Sequence, residues 1–189
     1  LLRAHSGRLG RAVAGDGDMG YSLARGFEVI LQDFENYDRA SVGAFLKKIG
    51  FTVSSKIGGS SGPLWGTGFL RAAAAAGDKT DLTPADVVEM LRAAAAGIRQ
   101  RGGAQLGDKT LLDALVPAID SLEENLSDEK SSADNYCAAI HKAARVCRLA
   151  AEKTAELEAK RGRAAYTGSR SIGSPDAGAI AIAMIFENI

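Results

Sequence analysis

Apolar residues recur at helical spacing along nearly the whole chain, and four short stretches rich in glycine, aspartate and hydroxyl groups interrupt them. The interruptions are GDGDMG at 15–20, GGSSG at 58–62, GDKT at 107–110 and TGSRSIGSPDAG at 167–178. Leu23, Phe27, Ile30, Leu31 and Phe34 make one stripe, and Val42, Phe45, Leu46, Ile49 and Val53 a second. Val87, Leu91, Ala94, Ala95 and Ile98 continue the pattern, as do Leu112, Leu115, Ile119 and Leu122. The longest helical segment is predicted from about 132 to 160, with Cys137, Ile140, Ala144, Cys147 and Ala151 on its apolar face. Thr83-Pro84-Ala85-Asp86 reads as a helix start, with a capping hydroxyl, an early proline and an acid three residues on. The last apolar run, AIAIAMIF from Ala179, has strand-like composition but no strand to pair with, which favours a helix. The expectation is an all-α chain: about eight helices in an antiparallel up-and-down bundle or barrel, a single domain over 1–189.

Consecutive loops of such a bundle alternate between its two ends. The plainer connections, 36–39, 77–83 and 126–131, fall between the glycine-rich ones. All four glycine-rich loops are therefore expected on one rim. GDKT occurs twice, at 77–80 and 107–110, and the alternation assigns only the second copy to that rim.

Each rim loop leads into a helix, whose first turn offers unpaired N–H donors and a partial positive charge suited to phosphate. Glycine lets backbone amides come close to an anion, and Ser60 and Ser61 add hydroxyl donors. Asp16 and Asp18 are two carboxylates one residue apart in a turn. Carboxylates and phosphates repel unless a hard cation lies between them, and magnesium takes one or two carboxylates and fills its octahedron with phosphate oxygens and water. Each loop alone is an ordinary turn, linker or cap. A helical scaffold or apolar-ligand carrier with purely structural loops is the rival reading; the alanine runs at 72–76 and 93–96 suit close helix packing and do not demand a ligand cavity.

Composition narrows the partners. A formal net charge of +0 offers no electrostatic case for nucleic acid or an anionic membrane. No run approaches the roughly 20 apolar residues of a membrane span, and the LLRAHSGRLGR start lacks a signal-peptide core, so a cytoplasmic location is expected. Cys137 and Cys147 would lie about 15 Å apart along one helix, too far to bridge, and both are expected to be buried and reduced.

The loops also carry a resemblance. GDGDMGYSLARGF (15–27), GGSSGPLWGTGF (58–69), GDKTLLDAL (107–115) and GRAAYTGSRSIGSPDAGA (162–179) match, in order and spacing, the DhaL family, the nucleotide-binding subunit or domain of dihydroxyacetone kinases. The resemblance implies an eight-helix antiparallel barrel with ADP or ATP at one end and Mg2+ held by Asp16 and Asp18. By similarity Met19, Gly20, Tyr21 and Ser22 contact the nucleotide, Ser60 and Ser61 its phosphates, and Gly102 and Leu111 border the adenine. Arg163 with Asp176, Ala177 and Gly178 closes the site, and no residue of the chain is assigned a covalent catalytic role. Implied partners are a DhaK-type subunit that carries the ketose and a phosphohistidine-carrying, DhaM-type protein of the phosphotransferase system. Free ATP is the donor in other members.

Three departures from the family pattern stand out. Arg11 occupies the place of a third metal-binding aspartate, Met19 that of a histidine and Ala177 that of a proline. A guanidinium in place of a carboxylate removes a ligand and reverses a charge, which argues against the family's second magnesium ion. Alternatively Arg11 grips a phosphate directly. The two outcomes separate an active phosphoryl-transfer subunit from a degenerate, regulatory one.

Overall fold

The computed structural model describes residues 19–126 and 133–189. Among these residues the secondary structure is helical throughout, in seven α-helices and three short 3-10 stretches. No helix among them is long and apolar enough to cross a membrane. They fall into two compact units, 19–103 and 104–189.

The first unit holds α1 (Met19–Gln32), α2 (Val42–Lys56), α3 (Ser61–Ala76) and α4 (Pro84–Gly102). Gly26 of α1 lies on Ile57 just beyond the end of α2, whereas Phe34 meets the Phe45 ring near the start of α2, with centroids 5.7 Å apart. These two helices are therefore antiparallel, and the first residues of α1 lie on the Ile57 side. α2 and α3 pack so tightly that glycine is required: a Cβ on Gly43 would come within 2.2 Å of the Gly77 carbonyl oxygen, and one on Gly62 within 2.1 Å of the Ile57 carbonyl oxygen. Gly68 of α3 faces Ala94 and Ile98 of α4, and Gly102 sits beside Leu64. Ala73 and Ala94, one from each alanine run, stand opposite Gly43 and Gly68 at these close approaches. Thr83 opens α4 with a full capping box, accepting from the Asp86 amide while the Asp86 carboxylate accepts from the Thr83 amide.

The second unit holds α5 (Leu112–Asn125), α6 (Ala133–Lys153) and α7 (Ala177–Phe186). Leu112, Leu115, Ile119 and Leu122 are all buried, as their spacing predicts. Ala139, Ala143, Ala144, Cys147 and Ala151 make the buried face of α6, and the AIAIAMIF run is helical. Asp176 caps α7, accepting from the Ala179 amide at 2.8 Å, and its own amide donates to Thr154 Oγ1 at the end of α6. Arg148 and Glu187 form a two-bonded ion pair across the other end of the α6–α7 contact.

Four sequence expectations need correction. Val87 is exposed, because the buried face of α4 begins one residue later at Val88 and Met90. Leu31 is 71% exposed and Phe34 is at the surface, because Leu31 lies at the edge of its stripe and the helix ends at Gln32, before Phe34. The segment expected from 132 to 160 stops being α-helical at Lys153, where Thr154 turns its hydroxyl onto the Ala151 carbonyl and a 3-10 turn follows. Cys137 is exposed, since it sits near the start of α6 and roughly 80° round the helix from the centre of the buried face. Cys147 is buried as expected, and burial pushes its thiol up to about 12, so it stays protonated and inert.

Candidate functional site

Asp16 and Asp18, the expected metal ligands, and Arg11 lie outside the described residues. Met19 and Gly20 form the start of α1, followed by Tyr21 and a half-buried Ser22.

In the first unit, Ser60 and Ser61 open α3 at the end where α1 begins and α4 finishes at Gly102. Ser41 and Thr83 spend their side chains on capping the helices they precede. Ser60 does not: it is exposed, follows a left-handed Gly59 and makes no side-chain capping bond. The tight contact of Gly62 with Ile57 leaves this helix start bare of bulk. In the first unit, then, the expected contacts Met19 to Ser22, Ser60, Ser61 and Gly102 occupy one end.

The second unit also gathers its expected contacts at one end. Leu111 is buried at the start of α5, while Arg163, Asp176, Ala177 and Gly178 belong to the connection between α6 and α7 and the first turn of α7. GDKT at 107–110 fastens this end together. Asp113 accepts from the Gly107 amide at 2.5 Å and the Thr110 amide at 2.7 Å, which folds the turn. Asp108 of the same loop faces a basic pair, with Arg161 Nε at 3.0 Å and Lys160 Nζ at 3.7 Å, and its carbonyl accepts from the Lys160 amide. The Gln105 amide and the Arg161 guanidinium hold its carboxyl below the usual aspartate range.

Lys109 is the residue that sequence reasoning passed over. It is 2% exposed and, at φ +61°, is the one non-glycine with positive φ among the described residues. Its ammonium donates to the Leu157 carbonyl at 3.0 Å and the Ser171 carbonyl at 2.5 Å. Ser171 is buried too: its hydroxyl donates to the Gly168 carbonyl and accepts from the Ala159 amide. Burial lowers the Lys109 pKa, opposed by the nearby Asp176 carboxylate. Burial pushes Asp176 up to about 6, with Asp113 adding to the rise and the Ala179 amide and Lys109 opposing it. The only sequence signal for Lys109 was its place in a repeated tetrapeptide, and that signal is ambiguous because the other lysine of the repeat is exposed.

The first unit therefore offers a polar, glycine-lined helix start that suits an anionic ligand, whereas in the second the Asp113 and Asp176 carboxylates already accept the nearby amides and Lys109 is buried among them. Comparison with known proteins places the chain in a family. The DAK2 domain matches residues 13–189. The chain is 37% identical, over 92% of its length and 80% of the relative's, to the ADP-binding subunit DhaL of the PEP-dependent dihydroxyacetone kinase of Escherichia coli K12. It is 38% identical to the L-erythrulose 1-kinase of Mycolicibacterium smegmatis, covering 95% of this chain and 31% of that enzyme. Among solved structures, the dihydroxyacetone kinase of C. freundii in complex with AMP-PNP and Mg2+ superposes with a TM-score of 0.73 at 28% identity, over 98% of this chain and 30% of that one.

Proposed function

The chain belongs to the DAK2-domain family of DhaL-type subunits, and on that premise we propose that it is the nucleotide-carrying subunit of a kinase for dihydroxyacetone or a related ketose. The observation that carries this reading is the 37% identity to an ADP-binding subunit along 80% of that subunit's length. The longer erythrulose kinase, of which this chain spans about a third, supports a ketose as the class of acceptor. The acceptor itself is carried by a DhaK-type partner, and a DhaM-type phosphohistidine protein recharges the bound ADP. The protein works in the cytoplasm.

Asp16 and Asp18 hold magnesium, which supplies charge neutralisation at the phosphates. The residues Met19 to Ser22, Ser60, Ser61, Gly102, Leu111, Arg163 and Asp176 to Gly178 bind the nucleotide. Ser60 is suited to phosphate because its hydroxyl is not committed to a capping bond and the Ser61 and Gly62 amides that open α3 have no intrahelical acceptor. Arg163 adds a fixed positive charge on the exposed connection. The work of such a subunit is positioning and charge compensation, with no covalent intermediate on the chain.

Isothermal titration tests this directly. ADP is expected to bind with about micromolar affinity in the presence of magnesium. Asp16→Asn and Asp18→Asn should each abolish the magnesium-dependent part, and unchanged affinity in both variants would refute the site. A second reading, a degenerate subunit that binds nucleotide without turnover, is favoured by one residue, Arg11. Under that reading Arg11→Asp strengthens magnesium binding, whereas a weaker nucleotide complex identifies Arg11 as a phosphate contact.

A further inference from the structure

A buried ammonium and a left-handed backbone at a residue other than glycine each cost stability, and Lys109 carries both. The bonds it makes are not to its own loop. Leu157 and Ser171 lie 48 and 62 residues downstream and bracket the stretch 158–170, so one ammonium draws the two ends of that stretch together. Further bonds reinforce the closure: the Ala159 amide to the Ser171 hydroxyl at 2.9 Å, the Gly173 amide to the Ala155 carbonyl at 2.8 Å, and the Lys160 amide to the Asp108 carbonyl at 3.1 Å. Arg163 lies inside the bracketed stretch, and Asp176 lies just beyond it, close enough to Lys109 for their charges to interact. An apolar side chain could fill the same volume, but it could not tie two main-chain carbonyls while placing a positive charge beside Asp176.

We propose that Lys109 is a positioning residue for the nucleotide: its ammonium clips the 157–171 segment shut so that Arg163 and the Asp176-capped start of α7 are presented together. The inference rests on the functional reading above and deepens it by assigning a role to a residue that does not itself touch the ligand. Loss of the clip frees the segment on which Arg163 rides, and the misplacement of one binding group is felt as weaker binding.

The experiment combines titration of ADP with magnesium and amide hydrogen exchange on the full chain. Lys109→Met is expected to weaken ADP about tenfold or more. It should also speed exchange at 158–171 while α5 stays protected. The readout that a merely structural lysine would not move is coupling: in an Arg163→Ala background the further effect of Lys109→Met should shrink to about threefold or less. Should Lys109→Met lose its helical circular dichroism, Lys109→Gln, which keeps a donor for one carbonyl, is read in the same way. Unchanged ADP affinity in a folded variant, or fully additive losses with Arg163→Ala, overturns the inference while leaving the functional reading intact. Failure of the wild-type chain to bind ADP overturns both.

Discussion

GDKT occurs twice, and its two copies share almost nothing in the folded chain. At 77–80 it is a surface junction between α3 and α4. Gly77 ends α3, the Lys79 carbonyl accepts from the Val42 amide, and the Lys79 side chain pairs with Asp86 in open solvent. At 107–110 the lysine turns inward, covered by a segment that arrives dozens of residues later. What differs is the acid that folds the turn. Asp86 belongs to a capping box seven residues past Lys79 and leaves that lysine outside. Asp113 accepts the Gly107 and Thr110 amides directly and closes the turn around Lys109. A tetrapeptide does not specify its own environment; the position of the next carboxylate and the availability of a later segment do.

The largest expected contrast is between the two lysines. Lys109→Met leaves one buried and one part-buried carbonyl without their donor and should cost about 2–4 kcal/mol in denaturant unfolding. Lys79→Met breaks an exposed ion pair and should move Tm by about 1 °C or less. Equal losses would erase the distinction between the copies. Next come the turn-folding acids. Asp113→Ala should cost about 1–2 kcal/mol, because two amides lose their acceptor. Asp86→Ala loosens the start of α4 and should be the milder change, and a reversed order would show that the capping box matters more than the inward turn. The smallest effect is one of pH. The Asp176 carboxyl, pushed up to about 6, binds its proton more tightly folded than unfolded. Its contribution is therefore fully present below about pH 4 and is lost as pH rises through 6. Asp176→Asn should flatten that segment of the stability–pH curve, and an unaltered slope would show that Asp176 titrates as an ordinary surface acid.

Much of the helical order was legible because a period near 3.6 is a strong signal over three or four turns. Leu112, Leu115, Ile119 and Leu122 needed nothing else, and the Thr83 start announced itself through its hydroxyl, proline and acid. The failures have common physical causes. Phe34 and Cys137 sit where a helix has ended or has just begun, and periodicity says nothing about where packing partners run out. The stop at Lys153 depends on a threonine bonding back to its own helix, an option that competes with the ladder and leaves no mark in the hydrophobic pattern. Of the candidate site, the loops and their glycines were visible, since phosphate recognition uses backbone and small residues whose letters are distinctive. The buried lysine was not, because lysine is normally a surface residue and its two carbonyl acceptors lie far along the chain.

That distance also has a consequence for synthesis. As the polypeptide leaves the ribosome, Lys109 emerges well before Leu157 and Ser171, so its charge has no acceptors until those residues have been translated as well. The 19–103 half closes on contacts within itself, whereas the 104–189 half must wait for its own tail. A nascent chain truncated between 126 and 157 should consequently hold the earlier helices while its GDKT turn remains hydrated and open to protease.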